Sequence, residues 1–299
     1  MNIWFENANF SSNSGPNSFA QKLSWEFEQR DIKVNQQPYD ASLCFIESAR
    51  HNVKSIPTFQ RLDGIYFNTA QDYKAQNSNI LRTYNAAKGV IFQSEFNKNL
   101  IFDWFGEHKN YSVIHNGANL QLIDSVPPMP GHHIENYDKV WACASSWRPH
   151  KRLQENIRYF REHAGPSDVL FIAGDLQRER VPQDPRIKYL GVLTSQQLIC
   201  LYKVSAYFVH LAYLDHCPNV VVDARACGSK IVCSSTGGTS EIAGPDAIVI
   251  EEEPWDFTPV ELYNPPTLDF SLNGEGLHNA EYDMREVSKK YEDFLISAK

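Results

Sequence analysis

The sequence has no long apolar run, and this absence excludes a membrane-spanning protein. A helix that crosses a bilayer needs about 20 apolar residues, and no run in the 299 residues comes near that length. The first apolar stretch, Asn2 to Phe5, is followed at once by polar Glu6, Asn7 and Asn9, so no signal peptide is expected. We therefore expect a cytoplasmic protein that is at most peripheral to a membrane.

The sequence also lacks a CxxC pair, which disfavours zinc and thiol redox sites. Its six cysteines mostly stand inside apolar runs, where a thiol behaves as a small hydrophobe. His132 and His133 are adjacent, but no third ligand accompanies them at a suitable spacing. We expect buried, reduced cysteines, a solvated linker around the two histidines, and no metal site.

Basic tracts are absent as well, which argues against nucleic acid as a partner. The net charge is −8, and neither half of the chain carries a basic stripe. Hydrophobic residues make up 42% and charged residues 21% of the chain, as in soluble globular enzymes. A length of 299 residues is enough for two α/β domains.

What the sequence does contain is an ordered alternation of apolar runs and polar loops in residues 206–242. An apolar run ends before Asp215, a short helix carries Asp223, and a second apolar run leads into Gly237-Gly238. Ligands of an open parallel α/β sheet bind at the carboxyl ends of the strands, and both polar loops fall there. The pattern predicts strand, acidic loop, helix, strand, glycine loop and helix around one crevice.

The residue types in that crevice suit a nucleotide. The Asp223 carboxylate can accept hydrogen bonds from both hydroxyls of a ribose. Gly237 and Gly238 let the backbone approach a ligand closely. The helix that begins at Thr239 or Ser240 offers free N–H groups to a phosphate.

This set of residues resembles the donor-binding signature of a known family. Its elements are Asp215 to Asp223, Ala226-Cys227-Gly228, Gly237-Gly238 and Glu241-Ile242. In this order and spacing they resemble retaining glycosyltransferases of family 4, which have the GT-B fold. The family usually carries glutamate at the first and last of the spaced acidic positions, and this chain has the shorter aspartate at both. The resemblance covers nearly the whole chain, with specific motifs in residues 110–117, 144–153 and 206–242.

The resemblance implies an α/β protein of GT-B architecture, in which two Rossmann-like domains turn their parallel sheets toward a central cleft. An N-terminal, acceptor-side domain would span residues 1–122, and a C-terminal, nucleotide-sugar domain would span residues 138–279. Residues 123–137 are predicted to link the domains, because they contain prolines and a glycine without periodicity. Residues 280–299 are expected to include a helix that crosses back to the first domain.

The resemblance also assigns roles to charged residues. Lys151 and Arg148 stand where a strand gives way to a helix and would hold the donor pyrophosphate; the alternative is a pair of solvated cations. Many family members have a histidine near residues 60–68, where this chain has none. Asp63 or Arg61 is the candidate replacement, contacting the sugar or orienting the acceptor, and the alternative is a structural Asp-Gly turn with a salt bridge.

The complete set of predicted site residues follows from these comparisons of motif and position. The catalytic candidates are Asp215, Lys151, Arg148 and Asp63. The donor-binding candidates are Asp223, His216, Cys217, Pro218, Asn219, Val220, Gly237, Gly238, Thr239, Gly15, Gly174 and Val192. The acceptor-side candidates are Arg61 and Asn116. Gly174 and Val192 are candidates for the nucleotide base, and the alternative for Gly15 is an ordinary turn between a strand and a helix.

The function that the resemblance implies is retaining transfer of a sugar from a nucleotide sugar, most readily a UDP- or GDP-sugar, to a hydroxyl of a glycan, lipid-linked or other acceptor. Such an enzyme of polysaccharide biosynthesis would need no cofactor or metal. Two alternatives remain open: an inactive GT-B module that binds a sugar nucleotide or glycan, and a GT-B sugar-nucleotide epimerase.

Overall fold

The computed structural model describes residues 1–12, 14–131, 134–275 and 280–297. His132 and His133, predicted to belong to a solvated linker, lie outside the described residues. The fold is α/β, as predicted, with helices packed on two separate sheets. None of the described helices is long and apolar enough to cross a membrane.

The N-terminal half, residues 1–122, is built on a parallel sheet with strand order β2-β1-β3-β4-β5-β6. The strands are β1 (Asn2–Glu6), β2 (Lys33–Val34), β3 (Ala41–Phe45), β4 (Thr58–Leu62), β5 (Gly89–Phe92) and β6 (Tyr111–Val113). The helices are α1 (Gly15–Glu28), α2 (Tyr73–Ala86) and α3 (Glu95–Phe105). Helix α4 (Leu120–Ser125) runs into the segment predicted as a linker, and its Ile123 packs in the core of the C-terminal half. Because parallel neighbours need crossover connections, the loops that follow these strands share one edge of the sheet.

The C-terminal half, residues 138–275, has a sheet with strand order β13-β12-β11-β10-β7-β8-β9. The strands are β7 (Val140–Ala144), β8 (Val169–Ala173), β9 (Ile187–Tyr189), β10 (Tyr207–His210), β11 (Lys230–Ser234), β12 (Ile248–Ile250) and β13 (Asn273–Glu275). The helices are α5 (Leu153–His163), α6 (Ser195–Val204), α7 (Asn219–Ala226) and α8 (Thr239–Ile242). Strand β13 runs antiparallel to β12, and the other pairs are parallel.

Local sequence signals start the helices near the predicted residues. Helix α6 begins with a capping box, in which the Thr194 side chain accepts from Gln197 N and the Gln197 side chain accepts from Thr194 N. At α3 the Ser94 side chain accepts from Asn97 N. These caps satisfy N–H groups that have no partner inside the helix. The sequence predicts a helix over residues 95–105, from the helical spacing of its apolar residues, and another over residues 195–204 with a cap at Thr194 or Ser195. Both are confirmed.

The last helix, α9 (Met284–Ser297), packs on the N-terminal half. Its apolar face shares one buried core with β1, β3, β4 and α1. The residues that it contributes to that core are Met284, Val287, Tyr291 and Leu295. The predicted crossing helix is present, although it begins at Met284 rather than near Ala280.

One boundary differs from the prediction in a way that matters for the site. The sequence predicts a strand over Ile56–Phe59 with Arg61 beyond its end, but β4 runs from Thr58 to Leu62 and includes Arg61. A buried strand is expected to be apolar, and Gln60 and Arg61 interrupt the pattern. Both are nevertheless buried, and most of their donors have partners: Gln60 Nε2, for example, donates to Ile46 O at 2.6 Å, although Gln60 Oε1 has no hydrogen-bond partner among the described residues.

A further connection between the halves runs through residues 253–262, which we call the return segment. The Trp255 ring lies 4.7 Å from the Phe67 ring, and Trp104 Nε1 donates to Phe257 O at 2.8 Å. The segment thus packs its aromatic side chains on the N-terminal half. No periodic pattern predicts this segment, since its position depends on contacts with distant residues.

Candidate functional site

An acid–base cluster lies at the carboxyl ends of β7 and β10. Lys151, in the turn that precedes α5, places Nζ 2.5 Å from Asp215 Oδ2. His210, the last residue of β10, donates from Nε2 to the same oxygen at 2.8 Å. The Asp215 side chain is 15% exposed. The predicted catalytic residues Asp215 and Lys151 therefore lie together, and His210 joins them.

The ionisation of this cluster follows from its contacts. Burial alone would raise the pKa of Asp215, but the Lys151 ammonium and the His210 hydrogen bond outweigh it and hold the pKa well below its usual range. Burial lowers the pKa of His210, although Asp215 opposes the change. At neutral pH Asp215 is therefore a carboxylate and His210 a neutral imidazole.

His150, beside Lys151, makes the fold sensitive to acid. Its ring stacks on Tyr263 with centroids 5.5 Å apart, and its Nδ1 has no hydrogen-bond partner within the described part of the chain. Burial lowers the pKa of His150 from 6.5 to about 3. Below pH 6.5 His150 therefore binds a proton in the unfolded chain but not in the folded chain. The free energy of unfolding falls as the pH drops below that value.

We expect the substitution His150→Phe, which keeps a ring against Tyr263, to weaken this acid sensitivity. Between pH 7 and pH 4.5 the wild type should lose roughly 2–3 kcal/mol more stability than the variant. Urea unfolding of both proteins at the two pH values measures the difference. Equal losses in the two proteins would contradict the assignment.

The predicted glycine loop lies directly against Asp215. Gly238 N donates to Asp215 O at 2.7 Å, and Gly237 forms a β-bridge with Asp215. Gly237 has φ +95°, and a Cβ there would lie 2.5 Å from Asp215 O. A Cβ on Gly238 would lie 2.1 Å from His216 O. Close backbone packing therefore requires both glycines, whatever ligand the loop binds.

Polar groups of the N-terminal half hold the segment from His216 to Asp223. Hydrogen bonds and an ion pair cross between the two halves to reach this segment. They are Asn97 Nδ2 to His216 Nδ1 (3.1 Å), Asn116 Nδ2 to Cys217 O (2.7 Å), Asn219 Nδ2 to Gly15 O (2.9 Å) and Lys22 Nζ to Asp223 Oδ1 (2.7 Å). The loop that follows β10 is thus positioned by both halves, and predicted residues Gly15 and Asn116 take part.

His216 fills the space between the halves next to the predicted acceptor side. Its ring lies 5.4 Å from the Phe96 ring, and a Cβ on Gly64 would lie 2.6 Å from its Nε2. Burial lowers the pKa of His216 to about 4, so the ring is neutral at pH 7. The His216 imidazole therefore lies beside Asp63-Gly64. Residues 60–68, to which those two residues belong, contain no histidine of their own.

The predicted acceptor-side residues form a buried chain of polar contacts. Arg61 forms an ion pair with Asp63, and its Nη2 donates to Asn116 Oδ1 at 2.7 Å. Its Nε donates to the Tyr291 hydroxyl at 3.0 Å. The Arg61 side chain is 1% exposed and that of Asp63 10%. The salt bridge between Arg61 and Asp63, which the sequence suggested as an alternative to a functional role, is thus present. Contact of either residue with an acceptor stays a prediction.

The candidates for the nucleotide base lie together at the ends of β8 and β9. Gly174 N donates to Gly191 O at 2.8 Å, and the next residue, Val192, is 75% exposed. The loop of Arg148 adjoins them, because Trp147 N donates to Asp175 O at 2.8 Å. Arg148 itself is exposed. This loop runs on to Lys151 and so connects the base-side residues with the Asp215 cluster.

The remaining donor-binding candidates offer little side-chain surface. Pro218 occupies the N-cap of α7, Val220 packs against the core of the C-terminal half, and Thr239 is fully buried. Cys217 is buried too, and burial raises the pKa of its thiol to about 12. A donor would meet these residues mainly through their backbone, and the thiol is not a nucleophile at neutral pH.

Some residues at this site have no role in the sequence-based prediction. His210 could have been noticed as a polar residue at the end of a buried strand. Glu241 carries no local signal for its role, which is to accept from Glu95 N (2.7 Å) and Phe96 N (2.8 Å) at the start of α3. Lys22 and Asn97 likewise act across the two halves, so their roles depend on tertiary structure alone.

Two α/β halves with parallel-dominated sheets, joined by a crossing C-terminal helix and meeting at the loops after their strands, define the GT-B fold. Solved glycosyltransferase structures share it across nearly the whole chain. Anabaena HepE, solved with UDP and glucose, has a TM-score of 0.70 at 16% identity over 99% of this chain and 100% of that chain. Sucrose-phosphate synthase from Thermosynechococcus elongatus has a TM-score of 0.62 at 12% identity over 99% and 96%.

A third similar structure is WaaG, a glycosyltransferase involved in lipopolysaccharide biosynthesis, with a TM-score of 0.58 at 9% identity over 100% of this chain and 94% of that chain. No protein-family model and no curated protein sequence matches the chain. At these identities the likeness establishes the fold, and the GT-B architecture predicted from sequence is confirmed.

Proposed function

We propose that this protein is a retaining glycosyltransferase that moves a sugar from a nucleotide sugar to an acceptor hydroxyl. The observation that carries the proposal is the Lys151–Asp215–His210 cluster, which abuts the Gly237-Gly238 loop at the strand ends of the C-terminal half. A carboxylate suited to sugar hydroxyls and an ammonium suited to phosphate lie side by side there. The resemblance to family 4 supports the retaining outcome.

The similar structures support a choice of donor class. HepE was solved with UDP-glucose, at 14% identity to this chain. We therefore propose a UDP-sugar as the first donor to examine, with GDP-sugars next. The acceptor would approach from the side of Asp63 and His216, where the N-terminal half meets the loop after β10.

The proposed reaction uses side chains in defined roles. Asp215 accepts hydrogen bonds from the sugar, while Lys151 and Arg148 stabilise the negative charge that grows on the leaving diphosphate. The bond from the anomeric carbon to the phosphate oxygen breaks, and a bond to the acceptor oxygen forms on the same face. The acceptor proton passes to the departing phosphate, so no protein nucleophile is required. Asp223 holds the ribose.

The first experiment is thermal stabilisation of the purified protein across UDP-, GDP- and ADP-sugars in the presence of EDTA. A ligand that binds only the folded state raises the melting temperature by mass action. Any nucleotide sugar that stabilises the protein is then assayed for release of its nucleoside diphosphate. NMR of the product's anomeric proton decides between retention and inversion.

The substitution Asp223→Ala is expected to weaken nucleotide binding by about 1–3 kcal/mol, because a ribose hydroxyl would lose its acceptor. The dissociation constant of the diphosphate, measured by calorimetry for wild type and variant, gives this number. Unchanged affinity would remove Asp223 from the ribose site.

The possible outcomes separate the proposal from its alternatives. Binding with slow release of diphosphate, accelerated by an acceptor, supports a transferase. Binding without release when a panel of acceptors is supplied favours a binding module, and conversion of the donor to another sugar nucleotide favours an epimerase. If no nucleotide sugar stabilises the protein, the proposed donor site is wrong.

A further inference from the structure

Lys22, in the second turn of α1, reaches across to the carboxylate proposed to hold the ribose. Its Nζ lies 2.7 Å from Asp223 Oδ1 and donates to Gly117 O at 3.2 Å. The Lys22 and Asp223 side chains are 16% and 22% exposed, so the pair is largely shielded from water yet open on one side. An ion pair with this burial holds both side chains in place more firmly than a surface pair does.

The hydrogen-bonding capacity of the pair is only partly used. An ammonium has three donors, and two of those on Lys22 point to Asp223 Oδ1 and Gly117 O. The third donor and Asp223 Oδ2 are not engaged by the hydrogen bonds of the described residues. The pair therefore presents one donor and one acceptor side by side.

The location of the pair connects it with the nucleotide crevice. Asn219, one turn earlier on α7, donates to Gly15 O at the start of α1. The two helices thus run alongside each other from the loops after β10 and β1. Lys22 lies two turns beyond Gly15 on α1, and Asp223 lies one turn beyond Asn219 on α7. Each pair shares one face of its helix.

Side-chain length explains why a second residue is useful here. Aspartate at position 223 is one methylene shorter than glutamate, so its carboxylate extends less far from α7. The ammonium of Lys22 occupies the space directly beyond Oδ1. A ribose diol that met this pair would find a carboxylate oxygen for one hydroxyl and an N–H donor for the other.

We propose that Lys22 is a specificity residue that binds the ribose hydroxyls together with Asp223. This inference rests on the proposed nucleotide-sugar function. One ribose hydroxyl donates to Asp223 Oδ2, and the other accepts from Lys22 Nζ. Because Lys22 belongs to the N-terminal half, recognition of the ribose requires both halves and not the C-terminal half alone.

The experiment compares UDP with 2′-deoxy-UDP and 3′-deoxy-UDP, and GDP with its two deoxy analogues, by isothermal titration calorimetry. Wild type should bind each deoxy analogue about tenfold more weakly than the parent nucleotide. Lys22→Met should bind the parent nucleotide about tenfold more weakly, and it should lose the preference at one of the two hydroxyl positions. The preference at the other position, which Asp223 provides, should remain.

The ratio of affinities isolates the ribose contact from other effects of the substitution. A general loss of positive charge would weaken parent and deoxy nucleotides alike and leave both ratios unchanged. Lys289→Met, which removes an exposed charge from α9, serves as the matched control and should keep the wild-type affinities and ratios. Circular dichroism melting of each variant checks that it is folded.

Two results would overturn the inference without touching the proposed function: wild type that binds parent and deoxy nucleotides equally, or Lys22→Met that keeps both wild-type ratios. If Lys22→Met does not fold, the inference is tested by the wild-type ratios and by Lys22→Gln. Lys22→Gln retains an N–H donor and should keep more of the preference for the ribose hydroxyls. If wild type binds none of the nucleotides, the proposed function itself is wrong and the inference falls with it.

Discussion

Lys151→Met is expected to lower the turnover number of sugar transfer by about 10²–10³-fold, the usual loss when a preorganised donor to a developing charge is removed. Lys151 Nζ has one contact to Asp215 Oδ2, which leaves further N–H donors for the leaving diphosphate. The Lys151 and Asp215 side chains are only 12% and 15% exposed, so solvent screens this charge less than it screens a surface charge. The effect should fall mainly on the turnover number, because negative charge on the diphosphate grows in the transition state.

The substitution also leaves the Asp215 carboxylate without its ion-pair partner, and a control must separate that effect from catalysis. Lys151→Met combined with Asp215→Asn removes both charges, so it should restore part of the stability lost by the single variant. Only its stability serves as the control, because Asp215 is itself proposed to bind the sugar. Arg148→Met, at an exposed position, should cost less than Lys151→Met. A Lys151→Met enzyme within about threefold of wild type would exclude Lys151 from the proposed role.

Gly174→Ala is expected to destabilise the fold by about 3 kcal/mol or more, through overpacking and backbone strain together. Gly174 has φ +108°, and a Cβ there would lie 1.8 Å from Ser145 O. Both residues directly follow paired strands, Ser145 after β7 and Gly174 after β8. Neither backbone can move away without disturbing the pairing that carries the loop of Arg148 and Lys151.

A matched glycine separates the two causes. Gly191 has φ +76°, and a Cβ there would meet no heavy atom of the described residues within 4 Å. Gly191→Ala should therefore cost only the backbone strain, about 1 kcal/mol. Urea unfolding of wild type and both variants measures the difference. Similar losses in the two variants would show that the close approach of Ser145 to Gly174 has no energetic weight.

The sequence was sufficient to predict the fold and the centre of the site, for reasons that particular residues make clear. The stretch from β10 to α8 alternates apolar runs with polar loops, and parallel sheets gather such loops at one edge. Asp215 and Gly237-Gly238 therefore had to lie close together, and spacing along one chain segment was enough to predict it. Lys151 lies outside that segment, and its place beside Asp215 was implied by the resemblance to family 4.

The rest of the site depends on contacts that no local pattern encodes. Arg61 interrupts the apolar pattern of β4 and is tolerated because Asn116 and Tyr291 meet it from distant parts of the chain, in addition to the nearby Asp63. Lys22 resembles any exposed lysine of an amphipathic helix until α7 brings Asp223 against it. The return segment has no periodicity, because aromatic packing on the other half positions it.

Because α9 packs on the N-terminal half, the core of that half is not completed in the order in which the chain is synthesised. Domains generally fold during translation, beginning at the N-terminus. Here the core around Ile3, Phe5 and Phe19 also requires Met284 and Tyr291, which the ribosome makes only after the C-terminal half. The N-terminal half is therefore synthesised first but completes its core only after the C-terminal half has emerged. Until then its apolar surface stays uncovered in the nascent chain.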